Sequence, residues 1–481
     1  MNLFVKKPID HISTDTQSGE HSLKRTLGPV SLIALGIGAI IGAGLFSLTG
    51  IAAAENAGPA VVLSFMVAAM GCAFAGMCYS ELASMIPVAG SAYTYAYVTM
   101  GELVAWIIGW DLVLEYAVAA AVVAVSWSRY VVSFLKGFGI DFPAQLAACP
   151  FDQITLANGM EGVGMINLPA IFIIIMLSIL LMMGIQQSSQ VNSAIVVLKV
   201  AIVLVFIAVG MHYIKWENYS PFIPENTGKF GEFGISGIMR AAGVIFFAYI
   251  GFDTVSVAAQ ESKNPQRDVP IGILGSLIIC TILYLVFAFV LTGMVNYKLM
   301  RGDPAPVATA INLTPYPWLQ MTIKLGIICG FTSVILVLLL GQSRVFYAMS
   351  RDGLLPKAFS QIHPKWRTPW KSNLIFMAFI SIFAGFLPIS KLGHMTSIGT
   401  LLAFVIVCIG VLVLRRTQPN LPRPYRSPCV PLFPILGILI CFSMMTSLDG
   451  ETWIRLIGWL GIGLFFYFIY GRHHSKLKDL T

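Results

Sequence analysis

The sequence predicts an all-α membrane protein with twelve transmembrane helices. Of its 481 residues, 57% are hydrophobic and only 11% are charged, whereas soluble domains carry about 25% charged residues. Apolar runs of about the length that crosses a bilayer, roughly 20 residues, recur from one end of the chain to the other. So few charges cannot cover a water-facing surface, so most of the surface is expected to face lipid.

The twelve apolar segments are continuous, unlike the short alternating segments typical of β-barrel strands. They run approximately over residues 30–53, 59–86, 98–127, 166–186, 190–211, 236–260, 270–294, 319–345, 372–389, 394–414, 430–447 and 452–471.

The segments group into sets along the chain. A polar N-terminal segment (1–29) precedes a first set of five (30–211), and a second set of five (236–414) follows. Two further segments (430–471) lead to a short tail (472–481). Because eleven segments follow the first, we expect the first to be retained rather than cleaved as a signal peptide.

The basic residues predict the orientation. With an even number of spans, both termini share a side of the membrane. Placing them in the cytoplasm puts most of the 30 Lys and Arg residues in cytoplasmic segments, as the positive-inside rule requires. The sequence therefore predicts a multi-pass protein of the cell membrane with cytoplasmic N- and C-termini.

Several classes of function are disfavoured. The net charge of +8 comes from cations scattered over short loops, so no nucleic-acid partner is expected. The eight cysteines show no CxxC pair or Cys/His metal spacing, so we expect free thiols and no metal. The sequence contains no HExxH, GxSxG or P-loop motif, which argues against an enzyme. A channel lacks support because no repeated filter sequence is present.

The first segment carries four glycines near its middle, namely Gly36, Gly38, Gly42 and Gly44. Each glycine costs a helix about 1 kcal/mol relative to alanine. One interpretation is helix packing, since Gly38 and Gly42 form a GxxxG pair. The other is an unwound turn whose free N–H groups bind a carboxylate at the start of a half-helix.

The sixth segment contains Asp253 just after Gly251, deep in an apolar run. An aspartate at that depth is costly and suggests function. A second break near residues 247–250 would expose carbonyl groups that accept hydrogen bonds from an ammonium group. Segments one and six begin the two five-helix sets, and paired breaks at corresponding positions indicate the site of an inverted-repeat transporter.

Three stretches carry a family resemblance that covers nearly the whole chain. They are Gly38-Ala-Ile-Ile-Gly-Ala-Gly-Leu-Phe46, Phe246-Phe-Ala-Tyr-Ile-Gly-Phe-Asp-Thr-Val255 and Glu261-Ser-Lys-Asn-Pro-Gln-Arg-Asp-Val-Pro270. They resemble the amino acid–polyamine–organocation superfamily and, within it, a bacterial twelve-span form of the cationic amino acid transporter family. The resemblance implies a LeuT-type 5+5 inverted repeat with two C-terminal helices, and transport by alternating access.

The resemblance also implies a substrate site at the two breaks. The substrate carboxylate is expected to meet the backbone of Gly42, Ala43 and Gly44. The substrate amine is expected to meet carbonyl groups from both breaks, namely those of Ile40, Phe247 and Ile250.

Two residues of the sixth segment are expected to act as gates. In relatives an aromatic side chain covers the bound amino acid, and Phe247 stands at that position. Asp253 matches an acidic position near the inner gate.

Lys199 lies near the middle of the fifth segment. It would be structural if it paired with a carboxylate or reached an interface, although mid-span placement makes the latter difficult. Burial favours the neutral amine, so such a lysine can also load and release a proton. Some proton-coupled relatives carry a lysine here in place of a sodium ion, which implies proton coupling through Lys199 and no other cofactor.

Three further residues have open roles. Asp111 and Glu115 are four residues apart and share a helical face. They either pair with Arg129, Arg240 or Lys324, or Glu115 faces the substrate and favours a cationic side chain. Met321, near the start of the eighth segment, either shapes the same pocket or packs ordinarily.

The function expected from these observations is proton-coupled uptake of L-amino acids, either small neutral ones such as alanine or cationic ones such as arginine and lysine. A sodium-coupled carrier or an amino acid exchanger is the alternative, and an integral membrane enzyme is a more remote one. The expected partners are the amino acid and the lipid bilayer. The sequence leaves the oligomeric state and any accessory subunit open.

Overall fold

The computed structural model describes residues 4–8, 27–86, 91–155, 161–184, 189–303 and 305–476. Most of the predicted N-terminal segment (1–29) and the end of the tail lie outside these residues, so the structure gives no test of them.

The described chain is mostly helical. In chain order the main helices are α1 Pro29–Ile40, α2 beginning with Gly44–Leu48 and continuing through Thr49–Ala52 and Ala53–Ala57, α3 Val61–Met85, α4 Ser91–Thr99, α5 Glu102–Lys136, α6 Leu168–Met182, α7 Ser189–Gly210, α8 Gly234–Ile245, α9 Thr254–Val257, α10 Pro265–Met294, α11 Pro306–Asn312, α12 Pro317–Arg351, α13 Trp370–Phe386, α14 Ile389–Thr417, α15 Leu432–Ser447 and α16 Gly450–Phe466.

Each of the twelve predicted apolar segments overlaps at least one of these helices. By length and composition, eight helical stretches of the described chain are able to cross a membrane, and four apolar helices are shorter: Pro29–Ile40, Leu168–Met182, Trp370–Phe386 and Leu432–Ser447. The helical membrane class is therefore supported. The count of twelve spans and the 5+5 repeat remain predictions.

The third segment differs from the predicted bounds of 98–127. Gly101 has φ +100°, a conformation that ends one helix and lets the next begin. The helix therefore starts at Glu102 and continues to Lys136, further than the hydrophobic run indicated. The loop beyond it contains an antiparallel hairpin of β1 Gln153–Thr155 and β2 Glu161–Val163.

The helices that position the candidate site form one packed group. Helix α10 packs against α3 and α1, and α12 packs against α5 and α7. Their shared interior is built from aliphatic side chains together with alanine and aromatic side chains, and these residues are almost fully buried. The two interrupted helical segments, α1–α2 and α8–α9, contact each other inside this group.

Candidate functional site between two broken helices

The first segment is broken where its glycines predicted a turn. Helix α1 ends at Ile40, Ile41 is extended, and α2 begins at Gly44. The Gly42 carbonyl accepts hydrogen bonds from the N–H groups of Leu45 and Phe46, both at 3.2 Å. The first N–H groups of a helix have no intrahelical acceptor and carry the positive end of its dipole. This break therefore offers an anion N–H groups from Gly42, Ala43 and Gly44.

The sixth segment is broken as well. Helix α8 ends at Ile245, residues Phe246–Tyr249 form a 3₁₀ turn, and α9 begins only at Thr254. Gly251, between them, has φ +120°, a conformation that a side chain would strain. The predicted break near residues 247–250 is therefore confirmed.

The two breaks lie in direct backbone contact. A Cβ atom on Gly44 would lie 2.2 Å from the Cα atom of Ala248. A Cβ atom on Gly251 would lie 2.8 Å from the carbonyl carbon of Ala39. Both glycines are thus required for the two backbones to approach each other. Packing of the Gly38 and Gly42 pair alone would not explain why Gly44 is a glycine.

Tyr284 of α10 bridges the breaks. Its hydroxyl lies 2.9 Å from the Ile40 carbonyl oxygen and 3.0 Å from that of Ala248. The sequence reasoning missed this residue, although a tyrosine inside an apolar span signals a need for a polar partner. The Phe247 carbonyl accepts from the Ile250 N–H at 3.2 Å. Each carbonyl retains a second lone pair for a ligand.

A cavity of about 10 Å³, room for about one water, lies between the breaks. Six of the predicted site residues line it: Ile40, Gly42, Ala43, Gly44, Phe247 and Ile250. The rest of its lining is Ala39, Ala119, Val123, Val334 and Leu338. Among the residues that the structure describes, none in this lining is acidic or basic, so the space between the breaks is small and apolar.

Met321 does not line this cavity. It packs against Gly137 at the end of α5, and α12 contributes Val334 and Leu338 instead. Thirteen residues separate Met321 from Val334, which is about 20 Å along a helix axis. The structure therefore does not bring Met321 to the cavity between the breaks.

Glu115 also lies away from the cavity lining. Its carboxyl group is fully buried and faces Asp253 and Asp111. Two of the three basic residues proposed as its partners bind elsewhere. Arg129 pairs with Asp152 at 3.4 Å, and Arg240 donates to the Ser447 carbonyl at 2.9 Å. Glu115 therefore belongs to a buried acidic group and does not line the cavity between the breaks.

Asp253 connects the sixth segment to its neighbours. Its Oδ2 atom accepts a hydrogen bond from the Tyr116 hydroxyl at 2.6 Å and lies 3.5 Å from the Ser91 hydroxyl. Tyr116 is on α5 and Ser91 begins α4. A change in this bonding would alter how α9 is held, and so the position is consistent with the predicted gate.

Lys199 is 1% exposed and crosses from α7 to α1. Its Nζ atom donates to the Gly38 carbonyl oxygen at 2.6 Å, close to where α1 ends. A cation there complements the negative end of the helix dipole. Within the described chain no carboxylate pairs with it. Neither structural alternative, an acid partner or an interface, therefore applies to Lys199.

Comparison with known proteins identifies the family of the chain. The amino acid permease family matches residues 27–467. The chain belongs to this family. The permease is 45% identical to the branched-chain amino acid permease BcaP of Bacillus subtilis and 43% identical to the methylthioribose transporter of the same organism, each over 99% of both chains.

A plant relative is more distant. The vacuolar cationic amino acid transporter 4 of Arabidopsis thaliana is 39% identical over 87% of the permease and 68% of its own length. These relatives confirm the amino acid–polyamine–organocation superfamily, and they show a transporter rather than an enzyme.

Proposed function

We propose that this permease takes up L-amino acids with apolar side chains, driven by protons, across the cell membrane. The observation that carries the proposal is the contact of two broken helices around an apolar cavity. One break offers N–H groups to a carboxylate, and the other offers carbonyl groups to an ammonium group. That pairing suits the zwitterionic part that all α-amino acids share.

The side-chain class follows from the cavity lining. Ala119, Val123, Val334 and Leu338 surround the space beside the breaks, and a cationic side chain would be buried there without an acid. Burying an unpaired charge is strongly unfavourable. Valine, leucine and isoleucine are therefore the proposed substrates, with alanine as a smaller one. The relative BcaP is named as a branched-chain amino acid permease, which supports this choice.

Lys199 is the proposed site of proton coupling. Its ammonium group holds the end of α1 through the Gly38 carbonyl. It is buried, and no carboxylate of the described residues pairs with it. Loss of the proton would weaken that bond and free α1 to move relative to α7. Proton binding and the position of α1 would thereby be linked. The proton would then be the coupling ion, as a sodium ion is in other carriers.

The proposal includes a fold of twelve spans with residues 30–211 and 236–414 as inverted repeats. The breaks near Gly42 and Ile250 fall in the first helical segment of each set, as such a repeat requires. The positive-inside rule supports cytoplasmic termini. Phe247 and Asp253 are the proposed gates.

Uptake into proteoliposomes tests the proposal. Labelled leucine, alanine, arginine and methylthioribose would each be offered under an inward proton gradient, an inward sodium gradient and no gradient. Accumulation of leucine driven by protons alone is expected. Preference for arginine would overturn the side-chain assignment, and preference for methylthioribose would overturn the amino acid assignment. Sodium-driven uptake would overturn the coupling.

A further inference from the structure

A second cavity, here called the vestibule, lies beyond the first along the same helices. It measures about 190 Å³. Leu35 of α1 lies one turn before Ala39, and Leu336 and Val337 of α12 lie between Val334 and Leu338. The vestibule therefore sits next to the cavity at the breaks, toward the beginning of α1.

One face of each surrounding helix lines the vestibule. Ser31 and Leu35 are four residues apart on α1, and Thr254 and Val257 are three apart on α9. Such spacings put side chains on a common face. The result is a largely apolar chamber, with its charged groups confined to one end.

Those charged groups are Glu261 and Arg344, of opposite sign. Glu261 follows α9, and Arg344 is near the end of α12. Oε1 of Glu261 lies 3.6 Å from a terminal nitrogen of Arg344, too far for a good hydrogen bond. Each side chain is 30% exposed. The pair is thus loosely held, and its charges remain accessible from the chamber.

The backbone fixes the position of Glu261. Its carbonyl oxygen accepts from the Leu27 N–H at 2.9 Å, and the Leu27 carbonyl accepts from the Lys263 N–H at 2.9 Å. These bonds join the segment before α1 to the loop after α9. The backbone of Glu261 is therefore fixed at the rim, and its carboxylate faces the guanidinium of Arg344.

We propose that the vestibule is a second binding site for a zwitterionic α-amino acid with an apolar side chain. The α-carboxylate binds Arg344, whose planar guanidinium suits a carboxylate. The α-ammonium binds Glu261, and the side chain packs against Leu35, Val257 and Leu340. The inference rests on the proposed function, because it assigns the site to the same substrate on its way to or from the breaks.

A zwitterion suits this pair better than a singly charged ligand. Inserted between the two side chains, an α-amino acid replaces one loose ion pair with two. A ligand with only an ammonium or only a carboxylate would leave either Arg344 or Glu261 without its counter-charge. The site therefore discriminates by charge pairing at one end and by apolar contact in the chamber.

Equilibrium binding of labelled L-leucine to the purified full-length permease tests the proposal. The wild type is expected to bind two leucines per chain. Glu261→Gln and Arg344→Gln are each expected to bind one, whereas Glu261→Asp keeps two. Leucinamide and 4-methylvalerate, which each lack one charge, are expected to compete at this site at least tenfold more weakly. Glu451→Gln, at an exposed ion pair with Arg455, is the matched control and keeps two.

The outcomes separate the two proposals. A wild type that binds one leucine, unaffected by Glu261→Gln or Arg344→Gln while both variants keep the wild-type elution profile, would overturn the vestibule site alone. Two bound leucines without leucine transport would contradict the proposed function and leave the vestibule site standing. No bound leucine at all would overturn both.

Discussion

Two buried charges in the permease, Glu81 in α3 and Lys199 in α7, have opposite surroundings. Both side chains are about 1% exposed. Glu81 accepts two hydrogen bonds from Arg415 and one from the Ser427 N–H, all at 2.8 Å, and Arg423 lies 3.3 Å away. Lys199 has the Gly38 carbonyl as its hydrogen-bond partner.

The surroundings of the two side chains indicate different roles. The charge of Glu81 is fixed by its partners, whereas Lys199 is able to gain and lose a proton. Removing one partner of a buried pair leaves the other charge uncompensated, so each member fixes the charge of its partners. Lys199 has no such partner within the described chain, and its neutral form leaves no opposite charge stranded. We infer that Glu81 fixes the packing of α3 against the end of α14 and the segment that follows it, whereas Lys199 responds to protons.

The largest stability effect is expected at Glu81. Glu81→Gln would leave Arg415 and Arg423 facing each other without their acid, at a cost of about 3–5 kcal/mol. Thermal unfolding of the purified permease in detergent would measure this as a large fall in Tm. Glu451→Gln, in the exposed pair with Arg455, is the control and is expected to change stability by less than about 0.5 kcal/mol. Equal changes in the two variants would contradict the account.

The second largest loss of stability is expected from a substitution that disturbs packing at the breaks. In Gly44→Ala the added Cβ atom would meet backbone at 2.2 Å, and overpacking of this kind costs about 1–3 kcal/mol. Gly42→Ala is the matched control, because its Cβ atom would lie 3.4 Å from a Val334 methyl group, an ordinary contact. Thermal unfolding should rank Gly44→Ala as the less stable variant, and the reverse order would show that the breaks do not pack as described.

A smaller, pH-dependent effect is expected at Asp449, in the loop between α15 and α16. Hydrogen bonds from His394 at 3.1 Å and from Thr452 at 2.6 Å hold the pKa of this carboxyl group well below its usual range. A lowered pKa stabilises the fold above the usual value of about 4 and ceases to do so as pH falls toward the folded value.

Asp449→Asn should therefore cost about 0.5 kcal/mol at pH 7, because the pair is partly exposed. Thermal unfolding measured at pH 5 and at pH 3.5 would show a smaller difference in Tm between wild type and variant at pH 3.5. A difference in Tm that increases as the pH falls from 5 to 3.5 would contradict the assignment.

The smallest stability effect is expected at Lys199. Lys199→Met loses a charged hydrogen bond of about 1.5–3 kcal/mol but also removes the cost of burying an unpaired charge, which is of several kcal/mol. The two terms oppose each other, so Tm should stay close to that of the wild type. A loss as large as that of Glu81→Gln would show that Lys199 is structural after all.

The parts of the fold that the sequence predicted are those set by local patterns. Apolar runs located the helices, and the glycines around Gly42 together with Gly251 and Asp253 located the two breaks. A run of apolar residues carries no sharp end signal, however. Helix α5, which forms the third predicted segment, consequently continues to Lys136, beyond the predicted boundary near residue 127.

The parts that escaped prediction depend on how helices rotate and slide against each other. The four-residue spacing of Asp111 and Glu115 gave a shared face but not its direction, which is toward Asp253. Met321 lies between three and four helical turns, about 20 Å, from the residues of α12 that line the cavity. Tyr284 joins two carbonyls from separate segments, a contact that exists only after both breaks have formed.

The most direct test of the central claim is leucine transport by Lys199→Met in two modes. Proton-driven accumulation and exchange against preloaded leucine would be measured in the same proteoliposomes. The account predicts that the variant exchanges leucine but no longer accumulates it under a proton gradient, whereas the wild type does both. Accumulation by Lys199→Met at the wild-type level would contradict the assignment of Lys199 as the coupling site.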